Sequence, residues 1–178
     1  MNAEDIVTFW MDAGPKRWFT KDAAFDGDLA ERFGAAVKDA REGVYDGWSA
    51  TTEGTLGLII LLDQVPRNIY RGSPLSFAGD ARALALARDS IARGDHLKLP
   101  PDQAQWLIMP LEHSENTDDQ RRCVALFQSL ENSEMVKWAK LHLDIIEKFG
   151  RFPHRNAVLG RTSTDAEAAF LKAGGFSG

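Results

Sequence analysis

Thr55-Leu56-Gly57-Leu58-Ile59-Ile60-Leu61-Leu62-Asp63-Gln64-Val65-Pro66-Arg67-Asn68-Ile69-Tyr70-Arg71 changes character halfway along. Leu56, Leu58, Ile59, Ile60, Leu61 and Leu62 place apolar side chains on every face of a helix, the mark of a central helix covered on all sides. Asp63, Gln64, Pro66, Arg67, Asn68 and Arg71 then follow within nine residues. Pro66 has no N–H to give to the ladder, which predicts that the helix ends or kinks near Val65. A buried helix thus delivers two arginines, an acid and two amides to one place.

On either side of this run the apolar residues recur at threes and fours. Asn2 predicts a cap for a first helix with Ile6, Val7, Phe9 and Trp10 on its inner side, stopped by Gly14-Pro15. Trp18-Phe19 reads as a connector. A second helix is expected from Thr20 to Glu42, with Phe25, Leu29, Phe33, Ala36, Val37 and Ala40 as its stripe and Gly43 as its stop. Beyond the central run, Ser73-Pro74 opens an alanine-rich helix closed by Gly94. Pro100-Pro101 starts another through Trp106 to Met109, interrupted by Pro110. Thr117 with Gln120, and Thr164 with Glu167, fit capping boxes. Between them lie two long helical patterns, one with Cys123, Val124, Phe127 and Leu130, the other with Met135, Trp138, Ala139, His142, Ile145, Ile146 and Phe149. No window alternates at period two for long enough to form a strand. The expected fold is all-α: about eight helices in antiparallel hairpins, packed as an α-α superhelix or bundle. One domain is expected over residues 1–178, with 172–178 a loose tail.

Composition narrows the function classes. A net charge of −5 argues against a nucleic-acid partner. Cys123 is the sole cysteine, so the chain can form no internal disulfide and no cysteine cluster for zinc. The apolar run Leu56–Leu62 is far short of the roughly 18 residues of a membrane span. The acidic start, Met1-Asn2-Ala3-Glu4-Asp5, lacks a signal-peptide pattern, so a cytoplasmic location is expected.

Three polar strings stand out: Leu61-Leu62-Asp63-Gln64-Val65-Pro66-Arg67-Asn68, Pro110-Leu111-Glu112-His113-Ser114-Glu115, and Phe149-Gly150-Arg151-Phe152-Pro153-His154-Arg155-Asn156, the last continued by Leu159-Gly160-Arg161-Thr162-Ser163. Together they resemble a bacterial family known as domain of unknown function 924, and the match runs from Phe9-Trp10 to Phe170-Leu171. The resemblance implies a tetratricopeptide-repeat-like helical fold. It implies no activity and assigns no catalytic residue. The sequence departs from the family pattern at Val65, where Phe is expected, and at Met11, where an aromatic is expected. The polar strings are untouched.

Each string has a sharp and a plain reading. Glu112 and Glu115, at i and i+3, share a helix face, while His113 points about 100° away from Glu112. The spacing lacks the His-x-x-x-His or Glu-x-x-His ligand pattern, so a salt-bridged helix end is preferred to a metal site. Arg151, His154, Arg155, Asn156 and Arg161 could grip an anion by two-point guanidinium contacts. The preferred plain reading is that they bond helix-end carbonyls and pair with Asp63, Glu112 or Glu115. His142 and Cys123 lie on apolar stripes and read as core residues.

The leading functional expectation is a non-enzymatic binding module. Its ligand would be a peptide or small anion, held by Arg67, Asn68, Arg71, Glu112, His113, Glu115, Arg151, His154, Arg155 and Asn156, with no cofactor and no metal. Two alternatives stand beside it: a hydrolase or transferase acting on an anionic substrate at the same cluster, and a structural protein whose charges form a closed network. In all three, Arg67-Asn68 and Arg155-Asn156 are expected to converge on Glu112 and Glu115.

Overall fold

A computed structural model describes residues 1–176, and among these all regular structure is helical. The chain forms two compact units, Met1–Leu111 and Glu112–Gly178, where the sequence reading carries one domain. No linker marks the boundary, which falls inside helix Pro101–Glu112 and so leaves no compositional break to read.

In the first unit, α1 (Ala3–Ala13) begins with a capping box between Asn2 and Asp5. The expected connector at Trp18 is instead a short helix, α2 (Pro15–Trp18), for which Pro15 is preset at the first turn. Helix α3 (Ala23–Glu42) starts after an Asp22 cap and buries the expected stripe. The central run comprises α4 (Thr52–Ile59), a π-helical turn (Ile60–Gln64) and α5 (Val65–Ile69). Leu56, Leu58, Ile59, Ile60, Leu61 and Leu62 have no exposed surface. At roughly 1.5–3 kcal/mol per large apolar side chain, they anchor the unit.

The helix, expected to end or kink near Val65, does not end there. The helix widens by one residue, the Val65 N–H donating to Ile60 O, and Pro66 passes with its missing N–H accommodated. Gly79 abuts this turn so closely that a Cβ there would overlap the Leu62 carbonyl oxygen. That approach brings the first residue of α6 (Asp80–Ala92) beside the wide turn. Likewise α7 (Pro101–Glu112) continues through Pro110 into its last turn, at the loss of the one ladder bond that an N–H at Pro110 would have made.

In the second unit, α8 (Thr117–Ser129) and α9 (Ser133–Phe149) form a helical hairpin. The cap of α8 is Asn116, which accepts from the Asp118 and Asp119 N–H groups, in place of the expected Thr117–Gln120 box. Gln120 instead turns inward and donates to the carbonyls of Glu112 and Ser114. The box at Thr164 and Glu167 is present and opens α10 (Asp165–Lys172). Ile145, Ile146 and Phe152 form a core cluster against which Phe149, Phe170 and Phe176 pack. Of the expected loose tail, Ser177 and Gly178 lie outside the described residues, while Phe176 is packed. Among the described residues no helix is long and apolar enough to cross a membrane.

Candidate functional site

The charged strings form two sets of pairs, one in each unit. In the first unit, the wide turn holds Asp63, fully buried, with its Oδ1 3.1 Å from Arg67 Nη1. Arg67 also makes a two-point contact with Asp80, both distances 2.9 Å, and donates to the Asp63 carbonyl at 2.5 Å. One turn on, Arg71 meets Asp26 with two nitrogens, at 2.7 and 3.1 Å, and Asn68 donates to the same carboxylate at 2.9 Å. Burial alone would raise the Asp26 carboxyl. The Arg71 and Asn68 hydrogen bonds outweigh it and leave the group below its ordinary value.

In the second unit, Glu115 accepts from both ends of Arg161, at 2.7 and 3.0 Å, and from the Phe152 N–H at 2.8 Å. Burial pushes its carboxyl up, but these donors hold it below the usual range. Arg161 also donates to the Phe152 carbonyl at 3.1 Å, so one ion pair grips both backbone groups of Phe152. Arg151 meets Glu167 at 2.6 and 2.8 Å. Asn156 and the Thr164 N–H also donate to Glu167, and its carboxyl falls to about 2, the Arg151 hydrogen bonds being the main cause.

The expected convergence on Glu112 and Glu115 holds only in part: the Arg155 charge acts on Glu115, while Arg67, Asn68 and Asn156 have other partners. Arg67 is held by Asp63 and Asp80, and Asn68 by Asp26. Asn156 is bonded to Glu167, and the guanidinium on Glu115 is Arg161. Asp26, Asp80 and Glu167 are the acids that sequence reasoning missed as partners. Asp80 and Glu167 sit in first turns of helices, where acids are favoured by the helix dipole, and Glu167 was already marked by its capping box. Asp26 sits in the first turn of α3 as well, but its partner Arg71 lies 45 residues away.

Glu112, at the end of α7, and His142, on α9, form a buried contact, His142 Nδ1 lying 3.3 Å from Glu112 Oε1. The same Nδ1 is 2.9 Å from the Trp138 carbonyl. Both neighbours are acceptors, which assigns the ring proton to Nδ1. His142 is thus a core residue, as expected, and is also tied to the polar set. Cys123 is buried, and burial together with the Glu112 and Asp119 charges pushes its thiol far up, away from any reactive thiolate.

His154 and Arg155 sit on the one-turn helix Pro153–Arg155. Arg155 is buried with its guanidinium over the Phe152 ring, 4.5 Å from the centroid. His154 is desolvated and surrounded by Arg155, His142 and His113, which hold its imidazole neutral with a pKa down at about 3. Its Nδ1 is buried without a hydrogen-bond partner. Among the described residues, no group of three or more His, Cys, Asp or Glu is placed to hold a metal ion.

The comparisons agree with this architecture. Among curated proteins, none matches the chain. The chain is similar to a protein of unknown function, ATU0120 from Agrobacterium tumefaciens, at 41% identity, with 96% of this chain and 97% of that one covered and a TM-score of 0.92. The family model described as bacterial protein of unknown function (DUF924) matches residues 6–175. The strings that carry the resemblance are the ones the structure commits to fixed ion pairs and aromatic contacts, and the chain belongs to the DUF924 family.

Proposed function

We propose that the protein is a non-enzymatic helical binding module, in which the charged strings form the frame of the ligand surface rather than its mouth. One observation carries this reading. Arg67, Arg71, Arg151 and Arg161 each meet an internal carboxylate through two nitrogens. A guanidinium already engaged in two-point contact is poorly placed to take a second anion. A peptide is accordingly a better ligand class than a small anion.

Thermal melts of the wild type, Arg151→Ala and Arg161→Ala, with and without phosphate and citrate, test the reading. Both variants should melt below the wild type, and the anions should leave all three midpoints unchanged. A wild-type midpoint that rises with anion, and ceases to rise in Arg161→Ala, would restore the anion site, because a ligand bound only by the folded state raises its midpoint.

A second reading, acid–base chemistry, has the buried Glu112–His142 contact in its favour. Incubation with mixed metabolites, followed by mass spectrometry, should show no turnover. Turnover lost in Glu112→Gln would favour the enzyme.

A further inference from the structure

We infer that the surface formed by His142, His154 and Phe152 in the second unit is a binding site for the aromatic side chain of a peptide segment, occupied in this structure by the chain's own Phe176. The inference rests on the binding-module reading above and names the ligand class.

The slot is aromatic on three sides. The Phe176 ring meets His142 at 4.7 Å and 68°, and His154 at 5.2 Å and 83°, both edge to face. Phe152 lies behind the two imidazoles, 5.4 Å from His142 and 5.6 Å from His154. Such pairs are worth about 0.5–1.5 kcal/mol each beyond the area they bury, and they select a flat ring over an aliphatic side chain. The floor is fixed from below. Phe152 is fully buried, its N–H and carbonyl are held by Glu115 and Arg161, and Arg155 covers its ring. The charged frame thus has a definite task, to hold one aromatic ring in place.

The occupant arrives as a peptide would. Helix α10 stops at Lys172, and Gly174 turns the chain with φ +79°. Gly175 then crosses the Phe170 ring, where a Cβ would come within 2.6 Å of ring carbons, and its N–H donates to the Phe170 carbonyl at 3.0 Å. That bond is the last backbone anchor before Phe176, whose ring makes the remaining contacts. The slot also offers more than packing needs. The neutral His154, whose ring meets Phe176, leaves Nδ1 buried without a hydrogen-bond partner, a group that an incoming peptide N–H or C=O could satisfy. A purely structural plug would be served by an apolar residue at that position.

The test uses the full chain with Phe176→Ala, and Phe176→Leu as a second variant that keeps apolar volume. Histidine ring resonances are followed by NMR while the peptide acetyl-Ala-Gly-Gly-Phe-amide, copying residues 173–176, is added. In both variants the His142 and His154 resonances should lose the ring-current shift of Phe176, with the fold retained. The peptide should return them toward wild-type positions with a dissociation constant about tenfold below the millimolar effective concentration that a short tether supplies, as a site filled by Phe176 requires. The wild type should bind the same peptide at least about tenfold more weakly, because its site is filled. A Leu peptide, or His154→Ala added to Phe176→Ala, should lower affinity by about threefold to tenfold. Failure of the Phe peptide to bind either variant, equal binding of the Phe and Leu peptides, or full binding after His154→Ala would overturn the inference. The Arg161 melts do not involve Phe176, so the module reading can survive that failure and can fall independently of it.

Discussion

Pro66-Arg67-Asn68 and Pro153-His154-Arg155-Asn156 are nearly the same words in two different settings. The first is read inside a continuous helix, where a π-helical turn lets Pro66 pass and points Arg67 at Asp63 and Asp80. The second follows the end of α9 on a single tight turn, which lays Arg155 over the Phe152 ring and leaves His154 facing the slot that Phe176 fills. Backbone context, not residue type, decides which groups each arginine meets. One proline closely follows a widened turn of a buried helix. The other begins a turn after the chain has already left its helix.

The largest test of this contrast is Arg67→Ala against Arg155→Ala. Removing Arg67 takes the guanidinium from the fully buried Asp63 and leaves it the Gln64 amide, and loss of one charged partner of a buried pair costs about 3–5 kcal/mol. Denaturant titration should show that loss. Arg155→Ala removes the cover of the Phe152 ring and a charge that steadies the Glu115 carboxylate, for a smaller expected cost of about 1–3 kcal/mol. Equal costs would break the contrast and make Arg155 a charge anchor as well.

A smaller effect separates the two sets by pH. Glu167 has its carboxyl at about 2 in the folded chain, against an ordinary 4.5. A lowered folded-state value means that its contribution to stability is complete above 4.5 and is lost as pH falls toward about 2. Arg151→Ala should therefore flatten the fall in denaturation midpoint across that window. A wild-type slope retained in the variant would assign the acid sensitivity elsewhere, Asp95 of the first unit, also at about 2, being the alternative.

The smallest expected change is Arg71→Ala. Its side chain is 37% exposed, and partly exposed pairs contribute about 1 kcal/mol or less. Thermal melts should place it within a few degrees of the wild type. A loss as large as that of Arg67→Ala would show that exposure does not grade these pairs.

The all-helical class, the buried central run, the caps at Asn2 and Thr164 and the stop at Gly43 were legible because each depends on residues within one or two turns. The helix does not stop at Pro66 or at Pro110, for a related reason. A proline removes one donor, and whether the ladder stops or widens depends on what packs around it. At the wide turn before Pro66 the neighbour is Gly79, seventeen residues on from Leu62, whose missing side chain admits the close approach to the Leu62 carbonyl. The sequence likewise marked Arg151, Glu115, His154 and Asn156 as a polar set without saying which would meet which.

By itself, then, the sequence determined the helices, their punctuation and the supply of charged groups at their ends, since these follow from local periodicity and local hydrogen-bonding needs. Only the tertiary structure decided the partners. Arg71 meets Asp26 across 45 residues, Arg161 meets Glu115 across 46, and Phe176 reaches His142 from beyond the last helix. An arginine accepts any carboxylate of suitable geometry, so its choice is made by which backbones pack closely enough to bring one within reach.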